Sequence, residues 1–335
     1  MTTARLSSAE LSGLWETYLQ ETMSVCMLKY LLKDIRDTEV MLPVSKALKL
    51  SETHIDQIIR IFNSEKVPIP VGFTDEDIDL TAPPLFYELF PLSFVYAMSR
   101  MGMINFSFVL SSVARPDIRQ FFTYCLEDTI GLYNDSTSLI LSKGIYDRPP
   151  MIPYPTKREF VEQQTTYMLG FLGNHRPLNG IELSEIFLNI ERNYFSVLLC
   201  MGLQQVVNDP EINKYIAKGR KISEDQIKFF NDLLLKEDAL GTVPVSMEVT
   251  ESSKPPFSDK LIVALFHSLN SIDITLLGHA LSLSLRADLA AQYSKLIARI
   301  LAYGTEGYHI MVSRKWLEQP PQQTNRKEAV KKYKL

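Results

Sequence analysis

Glu306-Gly-Tyr-His309 carries a metal-ligand spacing. On a helix, residues three apart share a face, so this Glu-x-x-His unit sets a carboxylate beside an imidazole. A dinuclear centre in a four-helix bundle needs two such units, plus a glutamate from each of the other two helices. Glu306 and His309 supply one unit, close to a helix end and flanked by Gly304 and Gly307. Asp273 is the second polar feature. It lies inside the apolar run 261–285, where a carboxylate is costly unless paired, and it shares spacings near one face with Asn270 and His267. Asp273, Glu306, His309 and His267 therefore form the candidate metal or small-ligand set, which predicts that the first three converge on one cavity. The competing reading pairs Asp273 with Arg192, Asn189 or Tyr194 in a buried hydrogen bond.

Elsewhere the di-metal pattern fails. Glu52 and His54 are two residues apart and fall on different faces, Phe90–Val113 contains no acid, and Glu127-Asp128 has no histidine three residues on. His54 reads as a hydrogen-bonded helix-face residue. The sequence lacks Gly-x-Ser-x-Gly, His-Glu-x-x-His and a phosphate-binding glycine loop, so no catalytic and no cofactor-binding residue is assigned, and the cofactor is unknown. Asp75, Glu76, Asp77 and Asp79 lack the glycine and spacing of a calcium loop and read as a solvated crossover. Cys26, Cys125 and Cys200 are an odd set without Cys-x-x-Cys and read as buried thiols in a reducing interior.

The elements that would position these residues are written twice. Pro83-Pro84-Leu85-Phe86 opens an apolar run ending at Arg115-Pro116-Asp117, and Pro255-Pro256-Phe257 opens one ending at Arg286-Ala287-Asp288, an offset of 172 and then 171 residues. Glu10-Leu11-Ser12 recurs as Glu182-Leu183-Ser184, Ser24-Val25 as Ser196-Val197, and Ser51-Glu52 as Ser223-Glu224. Repetition at this length marks duplicated domains. In the first copy, the capping pattern Ser7-Ser8-Ala9-Glu10 starts helix one near Ser7 or Ser8, helix two spans 38–65, helix three 84–113 and helix four 116–143, stopped by Gly144. The long connection between helices two and three suits a ferritin-like bundle. Arg115/Asp117 and Arg286/Asp288 read as capping pairs at the turn into helix four.

The expected fold is thus all-α, two tandem ferritin-like four-helix bundles related by internal duplication. They cover residues 7–147 and 178–321, joined by a proline-rich linker (148–177) with a short helix over 157–168, and followed by a basic disordered tail (322–335). Of 335 residues, 46% are hydrophobic and 22% charged, ordinary globular usage, and the net charge of −4 gives no electrostatic case for nucleic acid. Residues 1–12 lack the basic start and apolar core of a leader. No transmembrane segment is expected, because Asp273 and two histidines interrupt the longest apolar run.

The chain resembles the two-repeat family called domain of unknown function 3231, found in spore-forming bacilli. Leu14-Trp15-Glu16, Pro68-Ile-Pro-Val-Gly-Phe-Thr, Arg176-Pro-Leu-Asn, Pro256-Phe-Ser-Asp-Lys-Leu and Trp316-Leu-Glu-Gln-Pro-Pro carry the resemblance over roughly residues 8–322. It implies a ferritin-like fold, remote similarity to coat-F-type spore coat proteins, and no catalytic residues. The expected function is a non-catalytic helical protein of the cytoplasm or spore, structural or protein-binding, acting by self-association or through a protein partner. The alternative is a degenerate ferritin-like protein binding a metal or small ligand in its second bundle.

Overall fold

The computed structural model describes residues 4–161, 176–239, 241, 248–323 and 326. Its described helices form two successive four-helix units. The first contains α1 (Ser8–Leu32), α2 (Thr38–Glu65), α3 (Phe90–Ser112) and α4 (Pro116–Ser142). The second contains α5 (Gly180–Val206), α6 (Pro210–Lys236), α7 (Asp259–Leu283) and α8 (Ala287–Ser313). Consecutive helices pair as α1–α2, α3–α4, α5–α6 and α7–α8.

Matching caps start and stop these helices. Ser7 and Glu10 form a capping box on α1, as Asn179 and Glu182 do on α5, satisfying amides that a helix start leaves unpaired. Asp37 caps α2 and Asp209 caps α6. Gly144, at a φ of +69°, ends the turn after α4.

A staple then ties each unit's far ends together. Oε1 of Glu10 accepts the amides of Ala114 and Arg115, and Oε1 of Glu182 accepts those of Leu285 and Arg286. Arg115 binds Asp117 through two nitrogens and reaches Glu65 at 2.5 Å, and Arg286 binds Asp288 in the same way and reaches Glu237 at 2.5 Å. The arginines and aspartates do pair at the turn into the fourth helix, but neither side chain caps that helix; the arginines instead clamp the end of the second helix. Opposite, Lys143 bridges Asp37 and Glu39, matched by Arg314 on Asp209 and Glu211.

Two expectations change. The third helix begins at Phe90, not at 84, because residues 85–87 run extended against 248–250: Thr250 N–H donates to Leu85 and Tyr87 N–H to Glu248. The acidic crossover is also more than a solvated loop. Asp77 is buried, accepts from the Ser258 hydroxyl at 2.6 Å, and its carbonyl accepts the Ser258 amide, while Asp79 pairs with Lys254. The acids of the first crossover thus receive donors from the second unit. Residues 157–161 are not helical; the remainder of the expected linker helix and most of the basic tail lie outside the described residues.

One apolar core runs through the junction, joining Met27, Leu85, Phe90 and Phe94 with Leu199, Leu203, Leu261 and Phe266, while a smaller cluster around Leu14, Phe62 and Phe122 fills the far end of the first unit. By length and composition α7 passes for a membrane-crossing helix. In the fold it is the second unit's third helix, with Leu261, Ile262, Val263, Leu265 and Phe266 buried.

Candidate functional site

The four residues of the expected second-unit site do not come together. Asp273 is half-buried and its carboxylate takes Nη2 of Arg192 at 2.9 Å, the arginine pairing that competes with a ligand site. Glu306 is on the surface, bonded to Lys218. His309 and His267 are exposed on different helices. Among the described residues no three His, Cys, Asp or Glu side chains are grouped to hold a metal ion.

Instead, each unit has a buried polar layer halfway along its first two helices, at equivalent positions. In the second unit it is neutral. Asn189, Asn193 and Gln226 close a ring of amides: Asn189 Nδ2 donates to Gln226, Gln226 Nε2 to Asn193, and Asn193 Nδ2 back to Asn189. In the first unit, 172 residues earlier, the same places hold Thr17, Glu21 and His54. His54 Nδ1 lies 2.7 Å from Glu21, and Nε2 lies 3.9 Å from Asp128 on α4. Burial works against the charged imidazole, but its hydrogen bond to Glu21 and the negative charges of Glu21 and Asp128 prevail and raise its pKa above the ordinary value. Burial pushes the nearby Cys125 thiol up, so it is a poor nucleophile.

The cavities beside these layers differ too. The first unit's is about 140 Å³ and is lined by Glu21, Ser51, His54, Ser99 and Thr129, with Leu269 and Ile272 of α7 on its far wall. The second unit's is about 60 Å³. Tyr215 and Tyr303 stack there with ring centroids 4.4 Å apart. A Cβ on Gly219 would collide with the Tyr303 hydroxyl, and one on Gly307 with that of Tyr215, so both glycines make room for the pair. Gly102 of the first unit corresponds to Asp273, and Gln20 to Arg192. The second unit therefore fills with an ion pair and two rings the space that the first leaves open.

A larger space opens where the units meet. The groove between α3 and α5 is about 650 Å³ and mostly apolar, with Met101, Ile104, Phe195, Leu198, Met201 and Leu276 on its walls. Arg100 crosses it to Glu191 at 2.7 Å and lies 5.3 Å from the centroid of the Tyr96 ring. Ile145, Tyr146 and Asp147, just past α4, close one side. Pockets of this size and character, at the junction of two units, are where small molecules commonly bind.

Sequence reasoning expected a hydrogen-bonded His54, which the structure bears out, but named neither Glu21 as its partner nor the groove. Glu21 and His54 are on different helices, but the repeat held a signal for them: at that offset two polar residues meet two polar residues, Asn193 and Gln226, within apolar helical patterns. The groove depends on how the two units lean together, which no local pattern encodes.

The fold defines a class: all-α proteins made of two tandem four-helix units. Within it, this chain belongs to the family described as protein of unknown function (DUF3231), whose model matches residues 1–157 and 166–329. No curated protein matches the chain. Among solved structures, a candidate spore coat protein from Bacillus halodurans C-125 is similar at 15% identity and a TM-score of 0.40, over 45% of this chain and 98% of that one.

Proposed function

We propose that the protein is a non-catalytic binding protein that takes one elongated, largely apolar small molecule in the groove between α3 and α5. The observation that carries this reading is the groove itself: about 650 Å³ and mostly apolar, with three tyrosines and the charged residues Arg100, Asp147, Glu191, Arg192 and Glu248 among its polar features. Burying an apolar body there is favourable by about 25 cal/mol per Å² removed from water, before the cost of association. The groove replaces the second-unit interior as the ligand site, since Asp273 is occupied by Arg192.

Nile red, a neutral dye whose emission rises in apolar surroundings, tests this. One dye per chain should bind, and Met201→Trp, which fills the groove from α5, should weaken binding by about tenfold or more, the equivalent of some 1.4 kcal/mol. No binding, or binding indifferent to Met201→Trp, contradicts the proposal.

Self-association is the second reading. Ile130 and Leu141 on α4 are exposed, and so are their equivalents Leu301 and Val312 on α8, which gives both units the same apolar positions on the outer helix. Ser at Leu301 and Val312 should then lower the mass measured by light scattering; a monomeric mass for the unaltered chain rules this reading out. The ferritin-like ancestry of each unit and a setting in the cytoplasm or spore belong to the same proposal. Imaging a tagged chain in sporulating cells tests the setting.

A further inference from the structure

We propose that the ligand of the α3–α5 groove carries a cationic head, an amine or quaternary ammonium on an apolar body, seated at Asp147. This rests on the groove reading above and adds the chemical class of the ligand.

Charge balance along the groove is the first argument. Its charged lining residues are Arg100, Asp147, Glu191, Arg192 and Glu248. Both cations are already engaged, Arg100 by Glu191 at 2.7 Å and Arg192 by Asp273 at 2.9 Å. Asp147 and Glu248 remain, and both are acids. Glu248 is exposed and solvated, whereas Asp147 is half-buried. Asp147 has no ion-pair or hydrogen-bond partner among the described residues. A partly desolvated carboxylate without a counter-charge is costly, and an incoming cation relieves that cost. Burial, followed by the negative charge of Glu191, already pushes the Asp147 carboxyl above its ordinary range, the direction expected where positive charge is missing.

The surrounding rings are the second argument. Tyr146, next to Asp147, stands edge-on to Tyr96 with centroids 6.2 Å apart. Aromatic faces are electron-rich and attract cations, and the guanidinium of Arg100 over Tyr96 shows one such face already in use. An anionic head would meet Asp147 and Glu191, with both arginines of the lining already paired. A neutral head would donate a hydrogen bond to Asp147 but leave its charge unbalanced.

Calorimetric titration of the full chain with decylamine, decanol and decanoate, all below micelle-forming concentrations, separates the possibilities. Decylamine should bind about tenfold more tightly than decanol, and decanoate the most weakly. Asp147→Asn should bring decylamine to the affinity of decanol and leave decanol unchanged, with circular dichroism confirming the fold. Decanoate binding as tightly as decylamine, or an amine preference that survives Asp147→Asn, overturns the inference while the groove stands. Failure of all three probes to bind overturns the groove reading and this inference with it.

Discussion

The two seams between the units occupy equivalent places in the duplication and have diverged. At one, α1 packs directly on α7, and the space left is the small cavity bordered by Leu269 and Ile272. At the other, α3 and α5 enclose the 650 Å³ groove. Bulk and charge account for the contrast. Tyr96 and Arg100 stand on α3 where α7 has His267 and Ser271, and Glu191, Tyr194 and Phe195 stand on α5 where α1 has Leu19, Thr22 and Met23. Residues 145–147 wedge the open seam further. The polar layers diverged in parallel, Glu21 and His54 in one unit against Asn193 and Gln226 in the other. The staples at the helix ends kept their acids and arginines, with Arg176 added on Glu182 where the first unit has Ala4. Duplication thus preserved what holds each unit together and released what lines its spaces.

The largest effect should come from what is shared. Arg286→Ala strands Glu237 and Asp288 around a buried site, and Arg115→Ala does the same to Glu65 and Asp117. Breaking a buried pair from one side costs about 3–5 kcal/mol. Chemical denaturation should show losses of that order for both variants. A large loss for one and none for the other would mean the staples are not equivalent.

A smaller effect separates the interiors. His54→Ala leaves the buried Glu21 without its partner and should cost about 3 kcal/mol, whereas Gln226→Ala breaks a neutral ring and should cost less, about 1 kcal/mol. Equal losses would remove the distinction between a charged and a neutral layer.

The pH dependence is subtler. His54 has a folded pKa above its ordinary 6.5, so its contribution is whole below that value and is lost as pH rises through the folded value. Glu10 behaves oppositely. Burial opposes its ionisation, but the amides of Ser7, Arg115 and Ala114 prevail and lower its pKa from 4.5 to about 2, so its contribution is present above 4.5 and is lost as pH falls toward 2. Glu182 is lowered in the same direction: burial opposes ionisation, and the pairing with Arg176 outweighs it. Glu21→Asn with His54→Gln, which copies the second unit's amides into the first, should abolish the loss on the neutral side and keep the loss in acid. Persistence of the neutral-side loss would show that another group titrates there.

Helix order and the repeat were legible because both are written in local chemistry: Ser7 and Glu10 as a capping box, Pro116 opening a helix, Gly144 closing one, and the same marks 171–172 residues later. The partner of Asp273 was among the named alternatives, since Arg192 is on the facing first helix of its own unit. The start of α3 was not legible, because proline permits a helix start at 84 and only the pairing of residues 85–87 with the second unit moves it. The site was hardest to read. Glu306-x-x-His309 has the right spacing on the wrong face of its helix, outward to Lys218 and solvent. Asp147 gains meaning only from α5, more than forty residues away in sequence.

Photolabelling with a decylamine that carries a diazirine on its chain tests the central claim most directly. Irradiated with the full chain and mapped by mass spectrometry, it should mark α3 and α5 around Ile104, Phe195 and Met201 at the open seam, with excess decylamine suppressing the labels. Labels confined to the α1–α7 seam, or to the outer faces of α4 and α8, would contradict the account.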